Sequence, residues 1–147
     1  MDHGLVANTF AILLLLFFSL QDIRSRELSL KGLALSLLPG MVIACGRNGM
    51  LILSWVADLL PGITLLLIAG FSREAVGYGD GLVILILGLG LGAGRVITIL
   101  LTALLLTVLW GGVQMVRDHR SRKKAVPFIP FLLIADVIYL IGEKVMR

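Results

Sequence analysis

Between Asp80 and Val116 the chain is apolar with a single charge, Arg95, and no other feature restricts the possible folds as much. As one straight helix this stretch would measure about 55 Å at 1.5 Å per residue, nearly twice a hydrocarbon core of about 30 Å. It is therefore expected to fold as a hairpin turning near Gly92-Ala93-Gly94-Arg95, with helices over 81–94 and 96–116. The first of these would be only about 21 Å long, too short to cross the core unaided. Asp80, at its start, is expected several ångströms below the membrane surface, in a thinned or water-filled place.

The remaining runs repeat the pattern. With 59% hydrophobic residues and a mean hydropathy of +1.04, the chain is too apolar for a soluble domain. The sequence predicts an all-α, polytopic membrane protein with six crossings in one domain over 1–147. Helices are expected over 5–20, over 28–44 with Pro39-Gly40 able to bend it, over 50–71 with Pro61 freeing the carbonyl of Ala57, and from Pro127 and Pro130 to 145. Gly46-Arg47-Asn48-Gly49 reads as a turn. Leu5 to Leu20 has neither a basic residue before it nor a small-residue cleavage pattern after it, and is expected to be a retained helix rather than a secretory signal. Gly88, Gly90, Gly92 and Gly94 form a ladder suited to close helix packing.

The net charge of +4 does not point to nucleic acid, because the basic residues sit in short links between apolar runs. Placing the Asp22, Arg73 and Arg117 links on one side gives that side nine basic residues: Arg24, Arg26, Lys31, Arg73, Arg117, Arg120, Arg122, Lys123 and Lys124. Four are left for the other: Arg47, Arg95, Lys144 and Arg147. The first side is then cytoplasmic, both termini lie outside, and Asp22 and Asp80 share the cytoplasmic edge. Membrane lipid is the expected surroundings, and a homo-oligomer is compatible with the sequence. The single cysteine, Cys45, allows neither an internal disulfide nor a thiolate metal cluster.

Two carboxylates at one membrane edge suggest chemistry. Taken alone, Gly77-Tyr78-Gly79-Asp80 could be an ordinary N-cap after a glycine-rich turn. The glycines would also allow a tight backbone path and close approach by another segment, and a carboxylate beside a helix N-terminus is oriented by unpaired N–H groups. Brought together in a partly desolvated site, Asp22 and Asp80 could not both ionise easily. One would keep a proton while the other held and deprotonated a water. Such a pair can hydrolyse a peptide bond with no metal, cofactor or covalent intermediate. His3 and His119 lie in a terminus and a basic link, so a serine or cysteine triad lacks a base and zinc lacks ligands.

Three motifs, in order and spacing across nearly the whole chain, resemble a known family: Asp22-Ile23-Arg24 after the first run, Gly77-Tyr78-Gly79-Asp80 opening the fourth, and Val126-Pro127-Phe128-Ile129-Pro130-Phe131 opening the last. They are similar to those of the type IV prepilin peptidases, the GxGD aspartyl proteases of bacterial membranes. The resemblance implies a catalytic pair of Asp22 and Asp80. It implies a substrate with a basic leader ahead of a hydrophobic helix, cut after a glycine at the cytoplasmic face of the inner membrane, in type IV pilus assembly or protein secretion. It implies no cofactor. Large relatives carry a further cysteine-containing domain associated with N-methylation, and this chain resembles the short, peptidase-only form. It departs from many relatives in having Leu82 where they have lysine, Ser29-Leu30 where they have proline-asparagine, and Ile129 where they have glycine. These departures bear on substrate preference, since neither aspartate is touched.

Other polar residues have simpler readings. Asp58 and Asp136, inside apolar helices, are expected to satisfy packing or backbone groups, with a protonated Asp58 able to use the carbonyl freed by Pro61. Arg24 is an interfacial anchor or an influence on Asp22, and Tyr78 an interfacial aromatic or a wall of the site; Gly77 and Gly79 shape the same place. The basic run 117–124 reads as topology signal, with anionic lipid as a second partner. A non-enzymatic reading also exists, in which Asp22 and Asp80 bind a cation or relay protons in a small transporter subunit. That reading predicts inverted repeats between the two halves, and none is evident.

Overall fold

The computed structural model describes residues 3–25, 28–49, 51–71, 77–117 and 127–146. Arg26, Glu27, Met50, the Ser72-Arg73-Glu74 link, the basic run from Asp118 to Lys124, Val126 and Arg147 lie outside the described residues. Six α-helices follow one another: α1 (His3–Ser25), α2 (Leu30–Asn48), α3 (Ile52–Phe71), α4 (Tyr78–Leu91), α5 (Ala93–Arg117) and α6 (Ile129–Val145). The protein is all-α, and no strand occurs among the described residues. α1, α2, α3 and α5 are each long and apolar enough to cross a membrane, and α4 is a shorter apolar helix.

α4 is the axis of the bundle. It is apolar all round, as a helix must be to sit with neighbours on every side. It packs against α1, α2, α3 and α5, while α6 closes the remaining flank by packing on α1 and α5. Val83, Ile84, Ile86, Leu87 and Leu89 of α4 are buried, together with Leu15 and Phe18 of α1, Ile99 of α5 and Leu132 of α6. The outward faces carry large apolar side chains, among them Leu53, Phe71 and Val108. Only a lipid-facing surface exposes so many.

Glycine sets the closest contact. In lipid, packing leucine on leucine releases no water, so helices are held by the closeness of their backbones. A Cβ at Gly62 of α3 would lie 2.4 Å from Leu85 Cα, and one at Gly88 of α4 would lie 2.0 Å from the Asp58 carbonyl oxygen. Both positions need hydrogen, so α3 and α4 touch backbone to backbone. The expected glycine ladder divides accordingly. Gly88 and Gly90 are packing positions, the latter against the Phe10 ring. Gly92 is a turn residue with φ +90°, a conformation that glycine adopts without strain. Nothing lies within 4 Å of a Cβ at Gly94.

Several boundaries differ from the sequence reading, for local reasons. Of the expected turn at 46–49, the first three residues are the last turn of α2, which continues to Asn48 and is capped by Gly49, φ +56°. Arg47 is helical because it has buried partners. It pairs with Asp58, and its Nη1 donates to the carbonyl of Gly90 at 3.0 Å. Asp58 therefore does not depend on the carbonyl freed by Pro61. One of its oxygens accepts from Arg47 and from Asn48 (2.6 Å), and the other from the N–H of Ala93 (2.9 Å). This cluster caps the end of α4 and the start of α5 together, and the hairpin turn shrinks to the single residue Gly92. At the same end of the bundle, fully buried Asp136 of α6 pairs with Arg95 of α5 at 2.8 Å. Arg95 also bonds Asn8 of α1 and stacks over the Tyr139 ring at 4.9 Å.

Candidate active site

The opposite end of the bundle holds both sequence-identified aspartates. α1 runs to Ser25, so Asp22 is a residue of the last helical turn rather than of the link after it. α4 begins at Tyr78, so Asp80 lies inside its first turn, three residues after the N-cap Gly77. Both helices extend further at this end than hydropathy indicated. α1 packs on α4, and the two carboxylates are close enough to repel each other.

The glycines of the Gly-Tyr-Gly-Asp stretch are needed for space. Neither Gly77 nor Gly79 has a positive φ; the N-cap Gly77 is extended at φ −66°, ψ 131°. The Asp80 carboxyl turns back over Gly77, where a Cβ would lie 3.2 Å from Oδ2. At Gly79 a Cβ would lie 2.5 Å from Leu28 Cδ1, so the Leu28 side chain, just ahead of α2, lies directly over the first turn of α4. Gly81 continues the pattern against Leu66 of α3, whose Cδ2 is 2.8 Å from the Cβ position. Close approach accounts for all three, and a left-handed backbone for none of them.

The other expected site residues occupy the rim. Arg24 is exposed in the last turn of α1, and Tyr78 is half exposed with its hydroxyl 3.6 Å from the Cβ position of Gly70, at the end of α3. Ser29 caps α2 by accepting the N–H of Gly32 at 3.3 Å. Two contributors were not identified from sequence. Leu28 covers Gly79, and α6 reaches the site through the N–H of Ile129, which donates to Asp22 Oδ2 at 3.3 Å. The proline-phenylalanine stretch signalled that α6 starts here, but nothing in it indicated which backbone group would face Asp22. Among the described residues no group of three or more histidine, cysteine or acidic side chains is arranged to hold a metal ion.

Fold and site together define a multi-pass helical membrane protein with two aspartates gathered where α1 ends, α4 begins and α6 begins. The sequence profile of the type IV leader peptidase family matches residues 9–112, most of the chain and both aspartates, and the chain belongs to that family. It is a protease of the leader-peptidase kind, acting on prepilin-like proteins in the broad sense that the family defines. Neither the curated proteins nor the solved structures compared with it give a match.

Proposed function

We propose that the protein is an aspartic endopeptidase that removes the basic leader of a type IV prepilin-like protein, with Asp22 and Asp80 as its catalytic pair. The observation that carries this reading is the convergence of the end of α1 on the start of α4, which sets the two carboxylates within repulsive range of each other. Two carboxylates so placed share a proton. The ionised one takes a proton from water as the water oxygen bonds to the scissile carbonyl carbon, and the other gives its proton to the carbonyl oxygen. On collapse the C–N bond breaks, the amine leaves with the proton taken from water, and the second carboxyl recovers its own. Following the charge bias of the links, the site faces the cytoplasm of a bacterial inner membrane and both termini lie outside.

Co-expression of this chain with a prepilin, read as a mobility shift on leader removal, is the direct test. The wild type is expected to cleave. Asp22→Asn and Asp80→Asn are each expected to abolish cleavage while remaining inserted and folded, because an amide keeps the shape of the carboxyl but cannot exchange the proton. Processing by either variant at near the wild-type rate would refute the paired-carboxylate mechanism.

A further inference from the structure

We infer that the N-terminus of α6 is a positioning element of the active site, and that its Ile129 N–H fixes Asp22, rather than Asp80, as the carboxylate that deprotonates water. This rests on the proposed paired-aspartate reaction and assigns the roles within it. The starting point is which backbone donors α6 has left to offer. A helix begins with four N–H groups lacking partners in their own helix. In α6 the second of these positions is Pro130, which has no N–H, and the N–H groups of Phe131 and Leu132 already donate to the carbonyl of Phe128 at 3.0 and 3.2 Å. The N-cap residue Phe128 has no side chain able to cap the helix. Among the residues of α6 itself the Ile129 N–H is left, and it points at Asp22 Oδ2, 107 residues away in sequence.

Asp22 is therefore the N-cap that α6 lacks, supplied by another helix. A carboxylate in that position gains from the hydrogen bond and from the positive end of the helix dipole, and both favour its charged form. Asp80 has a different environment. It too lies at a helix N-terminus, in the first turn of α4, so the dipole does not separate the two; but its carboxyl is folded over Gly77, and among the described residues no backbone N–H is seen to donate to it. Two neighbouring carboxylates that share a proton will place it on the one without the donor. Asp22 then enters the cycle ionised and takes the proton from water, and Asp80 enters it protonated and gives its proton to the scissile carbonyl. The Ile129 side chain is fully buried and Leu132, one turn on, lies in the core, so the donor is held on a rigid element.

The test removes the donor with one side effect, a weaker acceptor at the Phe128 carbonyl, which Phe131 and Leu132 use. Replacing residue 129 by its α-hydroxy acid during translation turns the amide into an ester, which lacks the N–H and keeps the side chain. With purified full-length protein in detergent and a purified prepilin-like substrate, kcat is expected to fall about tenfold or more, the worth of a hydrogen bond to a charged group, with KM unchanged. The same ester at Ile134, an exposed position of α6, also removes an intrahelical donor and so weakens the helix at least as much, but it leaves Asp22 alone and should change kcat less than twofold. Ile129→Pro removes the same N–H genetically and should reproduce the loss if it folds; the ester decides if it does not. An unchanged or raised kcat for the ester at 129, or equal losses at 129 and 134, would overturn the assignment. Absence of cleavage by the wild type would instead refute the proposed reaction.

Discussion

Arg47 of α2 and Asp58 of α3 are ion-paired across the point where α4 gives way to α5. Arg47 places positive charge at the C-terminal end of α4 and donates to the carbonyl of Gly90, and Asp58 places negative charge at the N-terminus of α5 and accepts from Ala93. Each charge matches the helix dipole beside it. The pair thus holds open the break at Gly92 that keeps α4 short, and fixes one end of the rod whose other end carries Asp80.

Asp58→Ala should therefore be among the most damaging substitutions far from the site. It strands a partly buried guanidinium and leaves the N–H of Ala93 without its acceptor, and breaking such a pair by removing one member costs about 3 kcal/mol. Thermal unfolding in detergent should show a large fall in Tm. Asp58→Asn, which keeps an acceptor for Ala93, should lose less. Equal stability of wild type and Asp58→Ala would mean that the break at Gly92 needs no clamp.

The glycines give a sharper comparison, because they differ in what a methyl group would meet. Gly88→Ala drives a Cβ into the backbone carbonyl of Asp58 and Gly62→Ala drives one into the backbone of Leu85, where no rotamer change can make room. Each should cost about 1–3 kcal/mol or more by forcing α3 and α4 apart. Gly94→Ala meets nothing within 4 Å and should be neutral or slightly stabilising, since it removes a glycine from a helix. A stability ranking that put Gly94→Ala below Gly88→Ala would contradict the α3–α4 packing.

The chemistry of the pair gives a third expectation. It uses neither metal nor a covalent nucleophile, so EDTA and serine- or cysteine-directed reagents should leave cleavage intact. Blocking Cys45, which is exposed in α2 at the end of the bundle away from the aspartates, should also do little. Loss on chelation that is restored by zinc would rule out a bare carboxylate pair.

These tests follow a division between what could and could not be read from sequence. Hydropathy located six helices because the bilayer fixes their length and leaves little else to vary. The break near Gly92 was legible because the 37 residues from Asp80 to Val116, apolar but for a few positions, are too many to span once. The two aspartates stood out because a carboxylate beside an apolar run needs an explanation. The tertiary partners were not legible. Arg47 looked like part of a turn because its acceptors, the Gly90 carbonyl and Asp58, are 43 and 11 residues away. The Ile129 N–H carries no side-chain signature at all. Gly77 and Gly79 suggested both a tight backbone path and close approach by another segment; it is the second that they supply, as space for the Asp80 carboxyl and for Leu28, which the sequence could not name.

The last prediction concerns how water and substrate reach Asp80. α4 has 14 residues, so it measures about 21 Å against a core of about 30 Å, and its first turn must lie below one membrane surface if its far end is to approach the other. Polar backbone at that depth persists only inside protein or beside a water-filled cavity. A notch open to the cytoplasm, with Asp80 at its floor and Asp22 on its wall, would supply the hydrolytic water and admit a leader from the side. Tyr78 is half exposed at the mouth, whereas Leu87 is fully buried about 13 Å deeper along the helix. Single cysteines at Tyr78 and Leu82 in a Cys45→Ala background should therefore react with a small membrane-impermeant thiol reagent applied from the cytoplasmic side, and one at Leu87 should react far more slowly. Equal rates at all three positions would eliminate the notch, and labelling only from the outside would reverse the topology.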